Sequence, residues 1–222
     1  MTLDLLFPSR CLGCGKEGSL ICAACRVTLP VISPPICHRC GKPQQDGSLC
    51  PACINHLHEI DGIRSPFRFE GIIRLAIHQF KYNNLRHIAS SLSELLGIHL
   101  AKKPIPGEIL MPVPLHYRRL RERGYNQSQL LAKELGKLTG LPVIAHCITR
   151  RRQAIPQAKA ASINQRCSNV SDAFACHGNL KGKKVILIDD VATSGATLDA
   201  CAAALKSAGA ASVWGLTVAR EV

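Results

Sequence analysis

Two adjacent carboxylates, Asp189 and Asp190, stand where an apolar run, VILI at 185–188, stops. A short loop of small and hydroxyl residues follows them: Ala192, Thr193, Ser194, Gly195, Ala196 and Thr197. Carboxylates at the end of a buried strand can accept hydrogen bonds from sugar hydroxyls. Backbone N–H groups and short hydroxyl side chains in such a loop can wrap a phosphate, and a helix beginning there adds its dipole. An ordinary turn does not need two acids before it.

The second chemistry-bearing group is sulfur. Eight of the 12 cysteines lie before residue 54, as four CxxC pairs: Cys11/Cys14, Cys22/Cys25, Cys37/Cys40 and Cys50/Cys53. A CxxC turn presents two thiolates to one metal, and two turns complete a tetrahedral zinc site. The intervening chain is rich in Pro and Gly and poor in large apolar residues. Metal would therefore supply its folding energy. Two structural Zn²⁺ ions are expected, with Cys11/Cys14/Cys22/Cys25 and Cys37/Cys40/Cys50/Cys53 as the simple pairing and a crossed pairing also open. A thioredoxin-type dithiol would come singly, near a βαβ pattern. His38, His56 and His58 are close in sequence, but eight cysteines already satisfy two metals.

The third group is basic. Residues 112–166 carry 11 Lys and Arg against 2 acids, whereas residues 1–60 are nearly balanced. Arg118, Arg119, Arg121 and Arg123 follow a strand that ends at Pro112-Val113-Pro114-Leu115. Such a cluster can offset a polyphosphate, for which Arg supplies bidentate contacts. It can equally track a single-stranded nucleic acid, with Tyr117 and Tyr125 as stacking platforms. Arg118 and Arg119 can also be read as a solvated helix face. His116 is either a phosphate ligand or a surface residue.

These groups need elements to hold them. Residues 185–188 read as a fully buried parallel strand. A helix is expected over about 196–208, with Leu198, Cys201, Ala202 and Leu205 inward and Gly209 as its stop. Gly124-Tyr125-Asn126-Gln127 leads into an amphipathic helix with Leu130, Leu131, Leu135 and Leu138 on its apolar side. Strands are expected at 63–70, 108–113, 143–146, 172–175, 184–189 and 212–218. Residues 150–166, with Arg150, Arg152 and Gln157, lack periodicity. Cys201 reads as a core residue, and Cys147, Cys167 and Cys176 show no metal spacing.

The run Ile188-Asp189-Asp190-Val191 to Thr197 resembles the phosphoribosyl pyrophosphate (PRPP) motif of type I phosphoribosyltransferases. With the four CxxC pairs, the basic block at 108–143 and the segment FKYNNLRHIA, the whole order resembles the ComF family (ComFC/GntX proteins). Ala154 departs from that family's R-x-R-x-T pattern. The resemblance implies an α/β fold: a mostly parallel phosphoribosyltransferase-like sheet with flanking helices over 62–222, and a double zinc ribbon over 1–58 packed at its side. It implies ribose contacts from Asp189 and Asp190 and a 5′-phosphate cradle from Ala192 to Thr197. Pyrophosphate would face Pro114, Leu115, Arg121, Arg123 and Lys81, and a flexible hood would carry Arg150, Arg152 and Gln157. Mg²⁺ would arrive with PRPP. Single-stranded DNA and DNA-uptake proteins are the implied partners, and cytoplasmic DNA uptake in natural transformation is the implied role. A phosphoribosyl transfer to an unidentified nucleophile is the alternative.

Composition sets the frame. The 222 residues carry 28 Lys and Arg against 15 Asp and Glu, and 46% of them are hydrophobic. That excludes a wholly disordered chain. No apolar stretch approaches the ~20 residues of a membrane helix. The start of the chain, MTLDLLFPSRC, does not read as a signal peptide. A cytoplasmic protein with reduced or metal-bound cysteines is expected.

Overall fold

The computed structural model describes residues 9–56, 59–82, 85–150 and 173–222. Its centre is a parallel sheet in the order β1-β7-β6-β3. These strands are β1 (Gly62–Arg64), β3 (Ile109–Pro112), β6 (Lys184–Ala192) and β7 (Ser212–Arg220), and β2 (Phe67–Arg68) also pairs with β7. The expected strand over 63–70 is thus two pieces, separated by Ser65-Pro66. Pro66 has no N–H for the ladder, and its carbonyl instead accepts from Ile32 N at 2.8 Å.

Val185 to Ile188 are buried on both faces, which is why they form an unbroken apolar run. The strand does not stop there. It pairs with β7 as far as Ala192–Arg220, so both acids lie inside β6 near its C-terminal end. The expected strand over 143–146 reduces to one bridge, Val143 to Leu110. Pro142 precedes it and cannot extend a ladder. A short antiparallel pair, β4 (Ile148–Arg150) and β5 (Phe174–Cys176), lies off the main sheet.

Helices α3 (Gly71–Tyr82), α4 (Ile88–Lys102) and α6 (Gln127–Thr139) share one core with a face of the sheet; α7 (Ala196–Ser207) shares a second core with the other. Leu131 and Leu135 of α6 are fully buried and Leu138 is exposed, so the apolar side is narrower than its leucines imply. Cys201 is buried in α7, as expected.

The N-terminal module is one turn used twice. Cys11 N bonds Lys16 O and Gly15 N bonds Cys11 O; 26 residues on, Cys37 N bonds Lys42 O and Gly41 N bonds Cys37 O. Gly15 and Gly41 hold φ of 75° and 74°, a conformation that glycine adopts without strain. Each knuckle is followed by a short helix carrying its last cysteine, α1 (Ala23–Arg26) and α2 (Pro51–His56). Cys11 and Cys25 belong to the core under α3 and α4, and Cys37, Cys40, Cys50 and Cys53 to the core under α7. The ribbons lie at the side of the sheet, as expected: Ile63 N donates to Arg39 O and Arg68 N to Pro30 O along the β1 and β2 edge. From that edge their cysteines reach the cores on both faces.

Candidate functional site

The carboxylates are held by two other elements. Ser128 Oγ, in the first turn of α6, donates to Asp189 Oδ1 at 2.8 Å, and Asp190 N donates to the same oxygen at 2.9 Å. Lys81, in the last turn of α3, places Nζ 2.8 Å from Asp190 Oδ1. Burial, with the charge of Asp190 added, pushes the Asp189 carboxyl up to about 7, against the opposing pull of Ser128, the Asp190 N–H and Lys81.

The loop after β6 turns at Gly195, which holds φ of +88° and is the N-cap of α7 with no side-chain cap. The first N–H groups of a helix have no partner within it. The first of them, Ala196 N, donates to Ser194 Oγ at 3.3 Å. Thr193 and Thr197, on either side, line with both acids a cavity of about 280 Å³.

The facing wall comes from the chain after β3. Val113, Pro114 and Leu115 lead into α5 (Tyr117–Arg123), which ends at Gly124 in the left-handed region. Asn126 caps α6: its Oδ1 accepts from Ser128 N at 3.0 Å, and its Nδ2 donates to Val113 O at 3.0 Å. This cap fixes Ser128 against Asp189. Lys81, Arg119, Arg123 and Arg150 line the cavity with the acids. Arg123 is steadied by donating to Gln127 Oε1 at 3.1 Å.

Several expectations take a different place. Arg121 lies on the exposed side of α5, outside the cavity lining. His116 Nδ1 accepts from Arg118 N at 3.3 Å, capping α5. Tyr125 is buried and its hydroxyl donates to Phe80 O, so it offers no stacking face. Tyr82 and Tyr117 are the exposed rings, at 62% and 41%. Arg123 lies over Tyr82 at 5.1 Å and Arg118 over Tyr117 at 5.9 Å, a cation–aromatic strip beside the cavity. Arg152 and Gln157 lie outside the described residues. Cys147 and Cys176 sulfurs lie 3.3 Å apart across β4 and β5.

Sequence reasoning did not single out Ser128, Gln127, Phe69 or Glu221, all of which line the cavity. Ser128 had a signal: it lies three and seven positions before Leu131 and Leu135, on the inward face of α6. Phe69 and Glu221 had none, because they arrive through the pairing of β2 with β7.

The sulfur groups resolve the pairing. Cys11/Cys14/Cys22/Cys25 form one cluster and Cys37/Cys40/Cys50/Cys53 the other, with the four sulfurs of each within 4.8 Å of one another. Among the described residues, neither cluster includes a histidine. The Cys14–Cys22, Cys37–Cys53 and Cys40–Cys50 separations are 3.6, 3.7 and 3.6 Å. Tetrahedral zinc with bonds of about 2.3 Å places its sulfurs roughly 3.8 Å apart, so the residues fit the metal. Cys22 N donates to Cys11 Sγ at 3.4 Å and Cys50 N to Cys37 Sγ at 3.4 Å. The Cys22 N–H is the leading cause that brings Cys11 down to about 6, favouring the thiolate that binds metal. Among the described residues no helix is long and apolar enough to cross a membrane.

The fold and these two sites define a class: a double zinc ribbon joined to a phosphoribosyltransferase domain. The family description "Double zinc ribbon domain" matches residues 2–54, and "Phosphoribosyl transferase domain" matches residues 124–220. The chain belongs to the ComF family. It is 31% identical over 214 residues to the "DNA utilization protein YhgH" of Escherichia coli O157:H7, covering 87% of this chain and 93% of that one. It is 28% identical to "Competence protein F" of Haemophilus influenzae, covering 95% and 97%. It is 29% identical to "Competence protein ComFC" of Bacillus subtilis, covering 93% and 86%.

Proposed function

We propose that the cavity binds PRPP with Mg²⁺ and that the basic strip beside it binds single-stranded DNA, so that the protein handles incoming DNA in the cytoplasm during natural transformation. The observation that carries this reading is the convergence in one cavity of an acid pair, Thr193 and Thr197 at the start of α7, and three arginines. Asp189 and Asp190 accept from the ribose hydroxyls. The backbone from Ala192 to Thr197 and the start of α7 receive the 5′-phosphate. Pro114 and Leu115 bring the chain close to the pyrophosphate, which Arg119, Arg123 and Lys81 face. Binding separates Lys81 from Asp190, so the lysine exchanges one anion for another. Mg²⁺ supplies neutralisation of the pyrophosphate, held by the ligand and water more than by the protein.

Calorimetric titration with Mg–PRPP, with and without a short single-stranded oligonucleotide, tests this. Saturable PRPP binding, abolished in Asp189→Asn/Asp190→Asn, is expected. Equal affinity in wild type and double variant would sink the site assignment. Competition between the oligonucleotide and PRPP would mean that the two share the strip from Arg119 to Arg123.

The intact acid pair also supports a transferase reading. In it the bond from ribose C1 to pyrophosphate breaks, a bond from C1 to a nucleophile forms, and the nucleophile loses its proton. Pyrophosphate release in the presence of an acceptor separates transfer from binding alone.

A further inference from the structure

Arg220 ends β7 and is 1% exposed, yet its Nε and Nη1 have no hydrogen-bond partner among the described residues. A guanidinium taken out of water without an anion is costly, and a fold keeps one only where a compensating charge belongs. Burial holds the Arg220 guanidinium below its ordinary value, and the opposing pull comes from the neighbouring sulfurs of Cys40, Cys53, Cys50 and Cys37. Arg64 is the second cation there. It feels Cys37 and Cys40, and its Nη2 donates to His38 O in the knuckle at 3.0 Å. Zinc held by four thiolates carries two net negative charges, and two arginines match them. Among the described residues no buried cation accompanies the first cluster: Arg10 is exposed, and Arg26 turns its guanidinium to Glu94. Cys14 is exposed to water, whereas all four cysteines of the second cluster are buried.

The backbone of Arg220 also builds the cavity. Its carbonyl accepts from Phe69 N at 2.8 Å, and the next residue, Glu221, donates its N–H to Ala192 O at 3.0 Å. Phe69 and Glu221 line the cavity, as do Val191 and Thr193 on either side of Ala192.

We propose that Arg220 is the buried counter-charge of the second zinc tetrathiolate and that, as a positioning residue, it makes zinc occupancy there a condition for the shape of the anion cavity. When that zinc leaves, the four sulfurs take up four protons from the solvent and become neutral thiols; Arg220 loses its anion and is driven toward water, taking Phe69 and Glu221 with it. The first cluster carries no such link. The cavity half of this proposal rests on the PRPP reading, and the counter-charge half does not.

The test uses the zinc-loaded full chain, an excess of chelator and a zinc-sensitive dye. Two release phases are expected, a fast one from the exposed first cluster and a slow one from the second. Loss of a group that supports metal ligands typically weakens a site about 10–100-fold, so Arg220→Met should speed the slow phase by about tenfold or more and leave the fast phase alone. Arg220→Lys, which keeps the charge, should restore slow release. Were Arg220→Met to misfold, Arg64→Met at the less buried cation should speed the same phase by a smaller factor. An unchanged slow phase in the methionine variants, or a lysine variant as fast as methionine, would overturn the counter-charge. For the coupling, wild type is returned to Mg²⁺ and titrated with PRPP after the fast phase and again after the slow phase, beside Arg220→Met treated alike. Wild type should keep its affinity after the fast phase and lose it after the slow one, with a smaller loss in Arg220→Met; equal affinity of wild type before and after the slow phase overturns the coupling. A wild type that binds no PRPP would defeat the functional reading and leave the release kinetics to judge the counter-charge alone.

Discussion

Asp189 sits between two demands. Ribose recognition wants a carboxylate that accepts hydrogen bonds. Burial beside Asp190 makes that carboxylate costly, so its proton leaves only at about 7. An unfolded Asp titrates near 3.9. The folded state therefore binds the extra proton between roughly pH 4 and 7, and stability falls as pH rises through that window. Asp189→Asn removes the ionisation. Its melting temperature should match wild type near pH 4 and exceed it increasingly as pH rises to 8, by about 2–4 °C per kcal/mol for a domain of this size. The same variant should lose PRPP binding. A melting difference that does not grow with pH would contradict the burial argument. Both acids were legible in the sequence, since nothing ordinary explains two carboxylates ending an apolar run. Their partners were less so. Lys81 came from the family resemblance, and Ser128 needed the helix phase of α6.

Among the elements, the knuckles are the most constrained. A Cβ on Gly41 would stand 2.5 Å from Ile63 O, at a φ of +74°. Ile63 in turn donates its N–H to Arg39 O at 2.6 Å. Gly41→Ala thus strains the turn and pushes the second cluster off β1. We expect about one zinc per chain instead of two, by metal analysis, and a loss of about 1–3 kcal/mol in denaturant unfolding. Gly15 occupies the same turn, but a methyl group there would meet nothing within 4 Å, so Gly15→Ala should keep both metals and cost only the conformational strain. The CxxC spacing revealed both turns. It could not reveal which cluster meets the sheet edge, because that depends on β1 lying beside β7. Strand limits failed for a local reason: Pro66 and Pro142 interrupt ladders that apolar patterning alone would continue.

For the whole molecule, the excess of 28 basic over 15 acidic residues is concentrated away from the zinc ribbons. In space it meets the exposed rings of Tyr82 and Tyr117 beside the cavity. Single-strand affinity should fall with salt, with a log–log slope of about −0.7 for each phosphate contacted. Arg118→Ala/Arg121→Ala, both outside the cavity lining, should flatten that slope by one to two contacts, about 0.7–1.4 units, and leave PRPP affinity unchanged. A slope that does not move would remove α5 from the DNA path. The two-part composition was plain in the sequence. How the small part is tied to the large one was not, because it follows from contacts far apart in sequence: Arg26 grips Glu94, at 2.8 and 2.6 Å, and Asp61, just past the ribbons, meets Val213 N at 2.6 Å.

That last contact joins residues 152 positions apart. β1 and β2 follow the ribbons directly and find their partner only in β7. During synthesis the ribbons leave the ribosome first and can take up zinc, while the surface they cover does not yet exist. Until β7 emerges, the second cluster stands with its sheet-facing side bare, and the metal alone must keep it in shape. Zinc bound early therefore gives the finished sheet folded ribbons to close around.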